Sequence, residues 1–401
     1  MAVKVSRVDV IAYRLHAQHL DERLGKQGLL EAAGACGIQN SPPGSALAAL
    51  HARVRNLSQD RFDAAVAEDK SLLQSWCMRG SPFYVPAAEA AVFTTGVLPP
   101  TEEAMRHFIL GAGPSVDELG LELTDAVALA GAEIGDVLTG RRLAIDELGA
   151  ELAERIAGKL SRKQRDIWQK EGPYAAGQPL GEGVVHFCIR ILTLQKVVCF
   201  APRDGNQAPF VLVDEWLSDP IPDTDPESAR AELLRRYLRC YGPSTRADFA
   251  AWLGVRPGDA GPWWSLVEDE MTEVSFGRRT WILTEDLDGL RSATMPKGVR
   301  LLPPRDPYTQ LRDRGTVVDK QHHRDVWKAV GAPGVVLVDG EIAGVWRSRK
   351  SGRKLTMTVS SFGTLPARSR KPLLAEAEQL ATLRGASSVD VDFGSSAASA
   401  T

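Results

Sequence analysis

The sequence predicts an α+β protein in which three tandem winged helix-turn-helix domains precede a small β-rich domain. Helical segments separated by polar turns dominate residues 1–294, and strand signals dominate from Arg300 onward. Within the helical part, the order helix, turn, helix, helix, hairpin recurs up to three times. Because these occurrences differ in sequence, they indicate domains of one type and no strict repeat.

The composition is that of a globular protein of several domains. The 401 residues predict about two to four domains, and 44% are hydrophobic and 25% charged. No apolar run approaches the roughly 20 residues that span a bilayer, and the first residues lack a signal-peptide pattern. Five cysteines at unrelated spacings predict reduced thiols in a cytoplasmic protein. The net charge of −3 argues mildly against a non-specific nucleic-acid binder, but the charge is unevenly placed and a local basic stripe matters more than the total.

The first predicted domain covers residues 1–140, and the second covers residues 141–220. Each combines helices with a pair of strands, which flank Gly80 in the first domain and Asp204-Gly205-Asn206 in the second. The predicted helices are 8–18, 28–38, 45–57, 61–68 and 102–110 in the first domain, and 146–160, 162–170 and 184–194 in the second.

The third predicted domain, residues 221–294, contains the clearest helix-turn-helix pattern of the chain. Gly242-Pro243-Ser244 separates helices 229–241 and 245–253, and a third helix, 256–268, precedes a hairpin around Gly277. Trp252, Trp263 and Trp264 recur at helical spacings and predict the core of this domain.

The last predicted domain, residues 295–394, is built mainly from strands. Val335 to Val338 and Ile342 to Trp346 flank Asp339-Gly340, which is a strong two-residue hairpin turn. Strand 354–359, helix 372–383 and strand 389–393 follow. Residues 395–401 are small and polar, and we expect them to be disordered.

The segment from Gly37 to Ala46 is the most informative part of the chain. Pro42 and Pro43 fix the backbone, so that Asn40 and Ser41 lie on a stiff, non-helical turn. Ser45 is predicted to be the N-cap of the next helix, and a helix start favours anions. The turn contains no acid, base or thiolate placed as a nucleophile. It therefore predicts chemistry that oriented amides can support.

A basic segment lies between two predicted strands and suggests contact with nucleic acid. No acidic residue interrupts it in the sequence, which favours phosphate contact over a solvated turn. Its cations are Arg347, Arg349, Lys350, Arg353 and Lys354.

Three further groups of residues have a structural interpretation beside a functional one. Asp306 is a catalytic carboxylate or, as we favour, an anchor that pairs with Arg312 or caps a loop. His322-His323 lacks a third metal ligand, and its basic neighbours favour a helix that faces phosphate. Trp76 and the pair Phe83-Tyr84 either stack on a base or pack in the core.

Taken together, these motifs resemble the AlkZ/YcaQ-type winged-helix DNA glycosylases, closest to the AlkZ branch, over essentially the full length. The resemblance rests on five segments in this order. They are Ile38 to Ala46 with Leu50 and Arg53, Trp76 to Ser81, Tyr241 to Pro243 with Phe249, Trp252 and Gly254, Leu301 to Pro303 with Asp306, Tyr308 and Arg312, and Val338 to Gly340 with Gly344 to Arg347.

The resemblance implies a C-shaped protein with a cleft for DNA and a catalytic signature of two glutamines around an apolar residue. The second glutamine corresponds to Gln39 and the first to Gly37, so this chain lacks one amide of the pattern. Gln39 is then the catalytic residue, and Asn40 assists it or shapes the turn. The implied surroundings are the basic hairpin against a groove, Arg53, Arg79 and Arg312 on phosphates, and Gly37, Pro42, Asp306 and Tyr308 lining the site.

The implied activity is hydrolysis of the N-glycosidic bond of N7-alkylated purines, including bulky adducts and interstrand crosslinks, as self-resistance to a DNA-alkylating product. The partner is double-stranded DNA carrying alkylated purines. No metal, organic cofactor or membrane is implied, and we expect a monomer in the cytoplasm at the nucleoid. Two alternatives remain open: a winged-helix DNA-binding protein without catalysis, which is a regulator or sequesters adducts, and a protein that traps the toxin itself.

Overall fold

The computed structural model describes residues 3–394, and the predicted disordered segment 395–401 lies outside the described residues. Both helices and strands are present, as the predicted α+β class requires. The α-helices are α1 (Arg7–Ala17), α2 (Leu29–Gly34), α3 (Ser45–Arg53), α4 (Gln59–Asp63), α5 (Ala90–Phe93), α6 (Glu102–Phe108), α7 (Ala112–Leu119), α8 (Leu123–Leu138), α9 (Ile145–Ala157), α10 (Arg162–Trp168), α11 (Leu180–Leu194), α12 (Val213–Trp216), α13 (Pro226–Tyr241), α14 (Arg246–Leu253), α15 (Gly261–Trp264), α16 (Leu287–Ser292), α17 (His323–Val326) and α18 (Arg370–Leu383).

The strands are short in the first three quarters of the chain and longer near its end. They are β1 (Val3–Lys4), β2 (Ile38–Gln39), β3 (Leu72–Trp76), β4 (Pro82–Pro86), β5 (Val198–Phe200), β6 (Phe210–Leu212), β7 (Met271–Phe276), β8 (Arg278–Leu283), β9 (Val299–Leu302), β10 (Gly334–Val338), β11 (Glu341–Ser351), β12 (Lys354–Ser361) and β13 (Ser388–Gly394). Among the described residues, none of the helices combines the length and the apolarity that crossing a membrane requires.

The chain forms two compact units. The first unit contains the described residues up to Asp63, Arg235–Asp248 and the described residues from Glu268 onward. The second contains Ala64–Leu234 and Phe249–Val267. The division of the sequence into domains 1–140, 141–220, 221–294 and 295–394 stays a prediction.

A five-stranded sheet in the order β13-β12-β11-β10-β9 dominates the first unit. Its strands pair antiparallel except for β12 and β13, which are parallel and joined through α18. Asp339 and Gly340 both have positive φ, as the predicted two-residue turn requires. Alternate residues Leu355, Met357 and Val359 are buried, so one face of the sheet forms a core.

A smaller sheet in the first unit has the order β1-β7-β8. Val274 and Ile282 of this sheet pack with Val10 and Tyr13 of α1 and with Leu290 of α16. The predicted hairpin around Gly277 is therefore present as β7 and β8.

Buried polar side chains of α1 hold the turn between α13 and α14. Arg14 is fully buried and donates to the carbonyl oxygens of Gly242 (3.0 Å) and Pro243 (3.2 Å). Gln18 donates to the carbonyl oxygen of Cys240 (2.9 Å). The carbonyl groups at the end of α13 thus find partners away from water, which buried backbone groups need.

The second unit contains a helical core and strands in the order β4-β3-β5-β6. Helices α8, α9 and α11 pack together. No helix is predicted at α8, although its buried residues follow the helical spacing from Leu123 to Leu138. That periodicity was sufficient to identify it.

The aromatic side chains of the second unit form core contacts. Trp252 and Trp263 are buried as predicted, and the indole of Trp263 donates to the carbonyl oxygen of Gly96 (2.6 Å). Trp76 packs against Phe200 and Phe210 with ring centroids 5.1 Å apart. Since Phe83 and Tyr84 are buried as well, the core interpretation of these aromatic residues is favoured over base stacking.

The predicted helix 256–268 is wrong in extent. Only Gly261–Trp264 is α-helical there, and turns precede it. Pro257 and Gly258 explain the difference, since proline lacks the amide hydrogen that a helix uses and glycine adds backbone freedom.

Candidate active site

Gly37 ends the α2 segment and sets the course of the candidate catalytic turn. The predicted helix 28–38 stops at Gly34, and the buried Gly37 has φ +72°, in the left-handed region. Glycine is the usual residue in this position after a helix. Position 37 therefore has a backbone reason to be glycine, independent of any catalytic role.

Replacing Gly37 with glutamine should lower the free energy of unfolding by about 1–2 kcal/mol, because a side chain is strained in the left-handed region. Urea denaturation measures the change. The matched control is Gly135→Gln in α8, where an added Cβ meets no atom within 4 Å and helix propensity favours the substitution. Equal stability of the Gly37 variant and the parent would contradict this assignment.

Gln39 lies in β2 and is 2% exposed, and Asn40 directly after it is 6% exposed. The side-chain oxygen of Asn40 accepts from the amides of Gly44 (2.9 Å) and Ala46 (3.4 Å). The hydroxyl of Ser45 donates to the backbone carbonyl oxygen of Gln39 (3.2 Å). Ser45 thus binds the backbone carbonyl of Gln39, and Asn40 closes the turn that follows it.

The prediction that Ser45 is the N-cap of α3 is wrong. Gly44, with φ +84°, occupies the cap position, and Ser45 is the first helical residue. Asn40 instead satisfies two amides at this helix start with its side chain. The oxygen that would hold a water molecule is engaged in the turn, and the catalytic role of Asn40 stays a prediction.

Pro42 lies on the exposed edge of the turn. It follows a cis peptide bond after Ser41, and Pro43 and Gly44 are exposed with it. Gln39 and Asn40 form the buried part of the same turn. The segment from Gln39 to Pro42 thus runs from a buried side-chain amide to the protein surface within four residues.

Arg53, at the end of α3, forms a buried ion pair with Asp306. Its two terminal nitrogens donate to the two carboxylate oxygens at 2.8 Å each, and both residues are 1% exposed. Burial acts to lower the pKa of Arg53, but the facing carboxylate raises it above its ordinary value. The guanidinium of Arg53 is thus enclosed and engaged by Asp306, and its phosphate contact stays a prediction.

Asp306 is an anchor in this structure, with Arg53 as its partner in place of Arg312. One of its oxygens also accepts from the amide of Tyr308 (2.9 Å) and caps the short helical turn there. Tyr308 is 1% exposed, and burial raises the pKa of its hydroxyl. Both residues lie beneath the surface, so a lining role toward substrate stays a prediction.

Arg79 belongs to the second unit. It has φ +57°, and its guanidinium donates to the carbonyl oxygen of Trp252. A Cβ on Gly254 would approach the Cα of Arg79 to 3.0 Å, so glycine allows this close approach. Arg79 is held against the end of α14, and its phosphate contact stays a prediction.

The basic segment is the end of a continuous β11–β12 hairpin that turns at Gly352 and Arg353. Its five predicted cations are exposed. The amino group of Lys350 donates to the carbonyl oxygen of Arg384 (2.7 Å). Arg347, Arg349 and Arg353 form no ion pair with a described residue, and they remain candidates for DNA contact.

The strand order places acidic residues beside this hairpin. Asp390 is paired in register with Thr356 of β12, and its carboxylate lies 2.5 Å from the amino group of Lys354. Asp392 is exposed two positions further along β13, opposite Thr358. The basic run, uninterrupted in the sequence, is thus partly balanced in space by acidic residues of β13.

The two adjacent histidines are engaged in separate contacts. His322 stacks on Phe362, with ring centroids 4.0 Å apart, and Nε2 of His323 donates to the carbonyl oxygen of Val318 (3.0 Å). Over residues 3–394 no group of three or more His, Cys, Asp or Glu side chains is arranged to hold a metal ion.

Comparison with known proteins identifies the family. A family model described as DNA glycosylase AlkZ-like matches residues 32–383. An interstrand DNA cross-link repair glycosylase of Streptomyces sahachiroi is 27% identical over 358 residues, which are 86% of this chain and 88% of that protein. The solved structure of Streptomyces sahachiroi DNA glycosylase AlkZ shares the fold, with a TM-score of 0.75 and 23% identity over 98% of this chain and 100% of the other. The chain belongs to the AlkZ-like DNA glycosylase family.

Proposed function

We propose that the protein is a monofunctional DNA glycosylase that releases N7-alkylated purines, including bulky adducts and the bases of interstrand crosslinks. The observation that carries this proposal is the match to the AlkZ-like family over residues 32–383, which includes the turn of Gln39. The Streptomyces relative is an interstrand DNA cross-link repair glycosylase, which supports the crosslink part of the proposal. A bifunctional enzyme needs an amine nucleophile, and the turn from Gly37 to Ala46 contains no lysine.

Cleavage of this glycosidic bond is a reaction that a side-chain amide can assist. Alkylation at N7 places positive charge on the purine and weakens the glycosidic bond, so that the base departs without an acid. The sugar then develops oxocarbenium character, which a correctly oriented dipole stabilises. In this proposal the side-chain oxygen of Gln39 positions the attacking water or faces the cation. Ser45 binds the backbone carbonyl of Gln39, and Asn40 binds amides at the start of α3.

We also propose the tandem winged-helix organisation for this chain. In the third predicted domain, α13, α14 and α15 are followed by the β7–β8 hairpin, which is the order of such a domain. A monomer acting on the nucleoid in the cytoplasm fits a substrate that is chromosomal DNA. Protection of a cell against a DNA-alkylating product that it makes itself is the biological role that we propose.

Release of the damaged base tests the activity directly. A duplex carrying N7-methylguanine or a bulkier N7 adduct is incubated with the protein, and abasic sites are revealed by alkali cleavage. We expect strand cleavage only at the modified purine, and none in the matched unmodified duplex. Tight binding of the lesion without release from any adduct would overturn the proposal in favour of a DNA-binding protein without catalysis.

The β11–β12 hairpin should contribute phosphate contacts. Replacing Arg347 and Arg349 together with alanine should reduce the slope of log affinity against log salt by about 1.8, at roughly 0.9 for each lost contact. Fluorescence anisotropy with an undamaged duplex at several salt concentrations measures the slope. Arg162→Ala with Lys163→Ala, which removes two exposed cations of α10, is the control and should leave it unchanged.

A further inference from the structure

A cavity of about 530 Å³ opens in the first unit beside the β7–β8 hairpin, and we call it the arginine cavity. The residues that matter in its wall are three arginines, two aspartates and one histidine. They are Arg278, Arg312, Arg314, Asp248, Asp313 and His323. None of them belongs to the turn of Gln39 or to the β11–β12 hairpin.

Both carboxylates of the arginine cavity are already neutralised. Asp248 pairs with Arg278. Asp313 pairs with the buried Arg14 at 2.9 Å and accepts from the hydroxyl of Thr316 at 2.8 Å. Arg314, which forms no ion pair with a described residue, therefore gives the cavity an excess of positive charge.

The position of Arg314 is fixed by an aromatic platform. Its guanidinium lies 4.8 Å from the ring centre of Trp327, whose indole donates to the carbonyl oxygen of Thr309 at 2.9 Å. The edge of His323 packs on the same indole, with ring centres 5.2 Å apart. Arg314 forms no ion pair with any residue from 3 to 394. A cation held in this way is oriented before a ligand arrives.

The charge of Arg314 also disfavours the charge of Arg312. Burial lowers the pKa of Arg314. Burial, and then the neighbouring charge of Arg314, lower the pKa of Arg312. An anion bound between like charges relieves this repulsion, and arginine presents a planar fork of donors that matches phosphate oxygens.

We propose that the arginine cavity binds a backbone phosphate of duplex DNA. This inference rests on the proposed function, because it takes DNA as the partner. The rim is open to a large ligand, since Arg278 is half exposed and an added Cβ on Gly315 would meet no atom within 4 Å. The contact adds the β7–β8 hairpin and the 312–316 segment to the DNA-binding surface, and it is independent of base sequence.

A negative charge placed in the open cavity is the sharpest test. Gly315→Asp adds a carboxylate without displacing a neighbour, and it should reduce the salt slope of undamaged-duplex binding by about 0.9. The affinity ratio between parent and variant then changes about threefold between 50 and 200 mM salt. Arg314→Gln should reproduce the loss, and Arg314→Lys should retain the parent slope because it keeps the charge.

The control is Gly363→Asp, which makes the same charge change at another exposed glycine of the first unit with free space for a Cβ. It should leave the slope at the parent value. An unchanged slope in both Gly315→Asp and Arg314→Gln, with melting temperatures like that of the parent, overturns the proposal. If inorganic phosphate then still raises the melting temperature of the parent but not of Gly315→Asp, the cavity takes a small free anion. Because the duplex is undamaged, the measured salt slope does not depend on base release.

Discussion

Replacing Asp306 with asparagine should lower the free energy of unfolding by about 3–5 kcal/mol, because it leaves Arg53 buried without a counter-ion. Both side chains are almost fully enclosed, and both oxygens of the carboxylate receive bonds of 2.8 Å from the guanidinium. Folded domains are stabilised by only about 5–15 kcal/mol in total, so this single change removes a large part of the free energy of unfolding. Urea denaturation followed by circular dichroism measures the loss.

Two controls separate the buried charge from the site itself. Asp390→Asn breaks the exposed ion pair with Lys354 and should cost less than about 1 kcal/mol. Arg53→Met combined with Asp306→Leu removes both charges and should recover most of the loss. The bond from the amide of Tyr308 is not recovered in this double variant. A loss below 1 kcal/mol in Asp306→Asn would show that the ion pair does not hold α3 to this loop.

Replacing Gln39 with alanine should slow base release by about 10²–10³-fold in single-turnover assays, the usual effect of losing one oriented group at a developing charge. The amide lies in the buried part of a turn in which Ser45 binds the backbone carbonyl of Gln39 and Asn40 binds amides at the start of α3. Binding of undamaged DNA should change little, because the loss is confined to the chemical step.

Gln59→Ala is the matched control, since it removes an amide of the same size from the exposed first turn of α4. It should leave the rate unchanged. Melting temperatures of both variants exclude a loss by unfolding. A Gln39 variant that is folded and as active as the parent would assign Gln39 to the structure of the turn and would move the search for the catalytic group elsewhere.

Local features of the fold were predictable because a few neighbouring residues determine them. The turn at Asp339 and Gly340 follows from the backbone freedom of those residues, and the flanking strands follow from alternating apolar positions. Helix α8 carries an equally local signal. The spacing of its apolar residues is sufficient to identify it as a helix.

Contacts between residues that are far apart in the chain left no comparable pattern in the sequence. Arg53 and Asp306 are 253 positions apart, and each is a common surface residue type, so the sequence favoured a phosphate for one and Arg312 for the other. The acidic residues beside the β11–β12 hairpin come from β13, which is parallel to β12 and is brought there through α18. The cap that Asn40 provides depends on a turn whose exact path only the three-dimensional structure gives.

The arrangement of the first unit along the chain has a consequence for synthesis. Its early part ends at Asp63, and the carboxylate that neutralises Arg53 is added 253 residues later. At roughly 5–20 residues per second, a ribosome needs about 13–50 s to make that stretch. For this time the nascent segment holds a cation that it cannot bury, while the whole of the second unit emerges. The first unit therefore cannot finish folding until the last quarter of the chain has been made. We expect a truncated chain that ends before Asp306 to leave the first unit incompletely folded.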